Sequence, residues 1–170
     1  MAPPALRTLV PRRLLLAACI ALVLLAGGLA GGLFVQRRHD REWRLEIASN
    51  ASSALARRDL ASARALVQAG LARQPGAADL LVIRGDVARA AGDYNDARTA
   101  YLSAASDRTA APQARARLFD MALAIGADED ASHQLAVLEK LLGVADPLVK
   151  NRRDRLQAAS ATHPPSPDNR

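Results

Sequence analysis

Ala63, Ala97 and Ala131 are spaced by 34 residues and again by 34. The segments around them align without gaps: Asp59-Leu60-Ala61-Ser62-Ala63, Asp93-Tyr94-Asn95-Asp96-Ala97 and Glu129-Asp130-Ala131. The same register pairs Gly92 with Gly126, Ile47 with Leu81, Val67 with Tyr101 and Leu135, and Ala51 with Gly85 and Phe119. A fixed period of this length means one small structural unit repeated, each copy burying its apolar face against the next. Composition says which unit. Half the residues are apolar yet only 3% are aromatic, and the apolar share is dominated by alanine and leucine, which favour helices packed closely through small side chains. The expected fold class is all-α.

The best copy runs from Ala78 to Ala111. Gly85 is the small residue of its first helix, Gly92-Asp93-Tyr94 its turn, Ala97 the close-packing alanine of its second helix and Tyr101 the bulky residue that follows. Two helices crossing closely need small side chains at the contact and a large one filling beside them. This pattern resembles the tetratricopeptide repeat, and the resemblance covers residues 44–145. Departures are Asn50 and Arg58 in the first copy, where Leu and Gly are expected, Arg84 in the second, and Arg115 and Phe119 in the third. The resemblance implies a right-handed solenoid of about three helical hairpins, 43–57 with 60–73, 77–91 with 94–107, and 111–125 with 128–142. Asp146-Pro147 reads as an N-cap followed by proline at the first helical position. It opens a basic capping helix over 146–160, and the proline-rich stretch at 161–170 is expected to be a disordered tail.

Ahead of the repeat domain (36–145) lies a basic tail, 1–13, and then a run from Leu14 to Val35 with no charged group. As a helix that run would span about 33 Å, enough to cross a hydrocarbon core. Arginines flank it on both sides, and the expectation is a transmembrane signal anchor. Two other fates stay open: cleavage after Gly28-Leu29-Ala30 to give a secreted protein, and lipidation at Cys19. Within the run, Gly27/Gly31 and Gly28/Gly32 form two overlapping G-x-x-x-G pairs, the spacing that lets membrane helices associate and so offers a homodimer contact. Neither Gly nor Pro occurs between Leu33 and Gln68, so one continuous helix from about Leu14 to about Arg57 is expected.

The net charge of +6 divides unevenly: +5 over residues 1–44, −1 over 45–145 and +2 over the last 25. The excess sits beside the apolar run, where anionic lipid is the simpler partner. A repeat domain without a basic face argues against nucleic acid. His39, His133 and His163 are far apart, Cys19 is the single cysteine, and no phosphate loop or nucleophile elbow appears. No catalytic, metal or cofactor site is expected, and the chain reads as no enzyme.

The tetratricopeptide resemblance implies a groove lined by the first helix of each hairpin, holding a peptide or helix of another protein. Its positions here are Leu45, Ala48, Ser52 and Leu55, then Asp79, Val82, Asp86 and Arg89, then Gln113, Ala116, Asp120 and Leu123. Asp86 and Asp120 are equivalents one repeat apart, so a basic or apolar partner is expected. The near-even arginine count around the span leaves both orientations open. The short, triply basic N-terminus favours retention inside, giving a single-pass protein of a bacterial inner membrane with a periplasmic C-terminal domain. The expected function is a membrane-anchored scaffold, an assembly or secretion factor of the cell envelope. A cytoplasm-facing adaptor is the alternative.

Overall fold

The computed structural model describes residues 38–162. They form seven helices and no strand: α1 over 38–56, α2 Leu60–Arg73, α3 Ala78–Ala90, α4 Tyr94–Ala104, α5 Ala111–Ala124, α6 Asp128–Leu142 and α7 Pro147–Thr162. The chain divides into a first unit, Met1–Leu45, and a compact unit, Glu46–Arg170. Of the first unit, only the helical residues 38–45 are described. The expected span 14–35, its glycines Gly27, Gly28, Gly31 and Gly32, and the upstream part of the expected continuous helix lie outside the described residues. Among the described residues no helix is long and apolar enough to cross a membrane.

Within the compact unit the 34-residue register reappears as backbone conformation. Arg58, Gly92 and Gly126 each adopt positive φ, at 61°, 83° and 72°. Each is followed by the same helix-terminating hydrogen bond, in which the next N–H reaches back five residues: Asp59 to the Ala54 carbonyl, Asp93 to Ala88 and Ala127 to Ala122, at 3.0, 2.9 and 2.9 Å. This left-handed cap satisfies carbonyls the helix end would otherwise strand. The next helix then starts on a side-chain cap in the first two copies. The carboxylates of Asp59 and Asp93 accept from the N–H groups of Ser62 and Asp96, both at 3.0 Å. Hydrogen bonds from Ser62 hold the Asp59 carboxyl below its usual range. The third copy has Ala127 at that position and instead places Asp128, Glu129 and Asp130 in the first turn of α6, where carboxylates oppose the positive helix end.

Arginine is a costly residue for the first of these turns. An L side chain in the left-handed region loses roughly 1–2 kcal/mol that glycine does not. Arg58→Gly is therefore expected to raise the stability of the domain, by up to about 1 kcal/mol after the extra freedom of glycine in the unfolded chain is subtracted. Thermal melting followed by circular dichroism reads this directly; a lower melting temperature would show that the Arg58 side chain stabilises the fold more than its backbone strains it.

The core follows the same register. Ala54, Ala88 and Ala122 of the first helices are buried, as are Ala63, Ala97 and Ala131 of the second, and each successive pair belongs to one apolar cluster. Paired alanines allow the two helices of a hairpin to approach closely. Packing runs along the chain: α2 meets α3, α3 meets α4, α4 meets α5, α5 meets α6, and α7 lies against α6 and α5. Such neighbour-to-neighbour stacking fits a helical solenoid.

The contact expected at Gly85 is present, and its partner is the bulky residue of the same copy. A Cβ at Gly85 would lie 2.3 Å from Cε1 of Tyr101, and Tyr101 is fully buried. The equivalent pairs are Ala51 with Val67, and Phe119 with Leu135, all buried. Phe119 thus replaces a small residue without leaving the core. It joins Leu138 and the buried Val149 of α7 in one cluster, so the third copy fills with its own ring space that α7 closes over.

Candidate functional site

A cleft of about 660 Å³ opens among the first helices of the three hairpins. The end of α1 and its turn contribute Leu55, Ala56 and Arg58, α2 contributes Leu60, α3 contributes Asp86, Arg89 and Ala90, and α5 contributes Arg117. Leu55, Asp86 and Arg89 are groove positions expected from the repeat, and the fold brings them together. Ala48 and Ser52 do not line the cleft.

Asp86 is only 13% exposed at its side chain, and its carboxylate is already engaged. The Tyr101 hydroxyl donates to Oδ1 at 2.8 Å. Burial, and then this hydrogen bond to a carboxylate, push the Tyr101 phenol above its ordinary range, so it stays a neutral donor at physiological pH. The Arg117 Nε lies 3.0 Å from the same oxygen and Arg89 at 3.9 Å. The Arg117 contact is an ion pair by distance only. Its buried Nε makes no hydrogen bond, because the N–H is not aimed at the carboxylate. Asp86 thus ties α3 to α4 and α5, and the cleft around it holds three guanidinium groups against one carboxylate.

Asp120, its equivalent one repeat later, lies outside this cleft. Its two carboxylate oxygens accept from Arg152 at 2.8 Å and Arg155 at 2.6 Å, both from α7. Arg153 adds a bond to Glu139 of α6 at 2.7 Å, and the Arg152 and Arg155 guanidinium carbons each stand 5.8 Å from the centre of the Phe119 ring. A basic segment does sit on Asp120, and it is the chain's own last helix.

The other expected groove residues separate. Val82 is 1% exposed and packs with Tyr101, Ala104, Ala114 and Leu118. Its apolar side chain is drawn between neighbouring hairpins, so it cannot face a partner in an open groove. Ala116 is buried as well, in the cluster that α5 forms with α6 and α7. Asp79 lies in the first turn of α3 and accepts from the Leu80 N–H at 3.0 Å, a helix-start role. Gln113 is exposed on α5 and does not line the cleft. Within this cleft cations outnumber carboxylates, because Asp120 is held by the α7 arginines while Arg58 and Arg117 enter beside Arg89.

Arg58 and Arg117 are the site residues that the ladder of groove positions misses. Arg58 carried a signal, standing where the other two copies have glycine. Arg117 carried none, since its meeting with Asp86 depends on how two hairpins stack. A second pocket, about 340 Å³, lies on Val67, Leu71 and Val87 between α2 and α3, with the Arg84–Asp96 ion pair among its lining residues. Among the described residues no group of three or more His, Cys, Asp or Glu is placed to hold a metal. The site and fold together define an all-helical repeat-like domain with a cationic cleft across successive hairpins. Comparison with protein-family models, with curated proteins and with solved structures finds no match.

Proposed function

We propose that this chain is a membrane-anchored scaffold of tetratricopeptide type that binds other proteins through the cleft between its first helices and catalyses no reaction. The observation that carries this reading is the convergence of residues from three consecutive hairpins on one open cleft, Leu55 and Arg58, then Asp86 and Arg89, then Arg117. Stacked repeats create extended binding surfaces of this kind, in which each unit contributes a few side chains. The uncharged run Leu14–Val35 supplies the anchor, and the arginine-rich N-terminus favours a C-terminal domain on the periplasmic side of a bacterial inner membrane. The role that follows is assembly or secretion work in the cell envelope.

Photo-crosslinking in intact membranes tests the reading. A crosslinking residue at Ala90, an exposed cleft wall, should give one discrete protein adduct, whereas the same group at Thr99, exposed on α4, should give none. Equal yields from both positions would mean that the cleft is not the interaction surface. An alkaline phosphatase fused after Arg170 should be active, and an inactive fusion would place the domain in the cytoplasm.

A further inference from the structure

The cleft carries a charge imbalance that its own residues do not resolve. Arg58, Arg89 and Arg117 line the cleft with one carboxylate, Asp86, which already accepts from Tyr101. The nearest candidate for compensation, Asp120 one turn along α5 from Arg117, is saturated by Arg152 and Arg155. The Arg58 guanidinium has no hydrogen-bond or ion-pair partner among the described residues, and its backbone is held at φ 61° where the equivalent positions are glycine. A strained residue kept at an open cleft points to a role beyond folding. Guanidinium forks match planar carboxylates bidentately. Leu55 and Leu60 line the same cleft and offer aliphatic surface beside the charges. Asp86 disfavours a phosphate dianion more than a carboxylate, since like charge repels in proportion.

We infer that the cleft takes a carboxylate-rich segment of a partner protein, with acidic side chains on Arg58, Arg89 and Arg117 and an aliphatic neighbour on Leu55 and Leu60. The inference rests on the reading of the cleft as a protein-binding groove and reverses the basic partner that the sequence ladder suggested. Association is steered by charge and weakens with added salt.

The test uses the full chain in neutral detergent and a fluorescein-labelled, amidated peptide, Leu-Glu-Ala-Glu-Leu-Glu, followed by fluorescence anisotropy. The expected result is binding about tenfold tighter than that of the matching glutamine peptide. Arg58→Gly should weaken it by a similar factor while melting at or above the parent temperature, which separates lost binding from lost folding. Arg89→Gln should weaken it likewise. Equal binding of the two peptides, or unchanged affinity in Arg58→Gly, would overturn the inference. Displacement of the peptide by phosphatidylglycerol vesicles would overturn it too, in favour of a lipid head-group site. If the peptide fails while the Ala90 crosslink persists, the scaffold reading stands and only the acidic partner falls.

Discussion

Gly85→Ala is expected to destabilise the domain by about 3 kcal/mol, lowering its melting temperature by about 10 °C, although alanine is the better helix former. Gly85 lies inside α3, where propensity alone would favour alanine by about 1 kcal/mol. Packing decides against it. The added Cβ would stand 2.3, 2.5 and 2.8 Å from three ring carbons of Tyr101, and the ring cannot retreat. Tyr101 is fully buried, and its hydroxyl is fixed on Asp86 at 2.8 Å. Moving the ring breaks that bond and disturbs the ion pair with Arg117, so the strain would spread from the second hairpin into the third. Gly76→Ala is the control: nothing lies within 4 Å of its added Cβ. That variant should melt within a degree or two of the parent, and a Gly85→Ala protein behaving like it would refute the tight crossing.

The sequence made the hairpins legible because their determinants are local and periodic. Alanine pairs, left-handed turns and aspartate caps all recur within one repeat, so the register located α2 to α6 with helix ends differing by at most three residues. What the register could not reach was the chemistry between copies. Val82 counted as a groove residue by its place in the ladder, but an apolar side chain near the seam between hairpins gains more by burial than by facing solvent. Asp120 counted as a partner site because its captors, Arg152 and Arg155, lie 32 and 35 residues away in a helix outside the repeat. Arg58 was visible as a departure from the pattern, yet its meaning waited on the cleft that it shares with Arg89 and Arg117. The sign of the groove is thus a property of stacking rather than of any single copy.

Phe119→Ala sets these two kinds of information against each other and should cost more stability than Gly85→Ala. By register the position belongs to a small residue, as Ala51 and Gly85 show, so alanine would restore the pattern and leave stability unchanged or improved. The packing gives the opposite sign. Phe119 is fully buried among Ala116, Ala122, Leu135, Leu138 and Val149, and truncating a buried phenylalanine costs about 3–5 kcal/mol through lost transfer energy and the cavity left behind. The ring also lies beneath the guanidinium groups of Arg152 and Arg155, an attraction worth about 0.5–1 kcal/mol at partly exposed sites. The damage should therefore concentrate on α7, whose buried anchor, Val149, loses its aromatic neighbour. Urea unfolding should report the global loss, and amide hydrogen exchange should show α7 opening well before α3 and α4. Unchanged stability would mean that register rather than the α7 contact governs this site. A loss with α7 protection retained would place the cost in the α5–α6 hairpin alone.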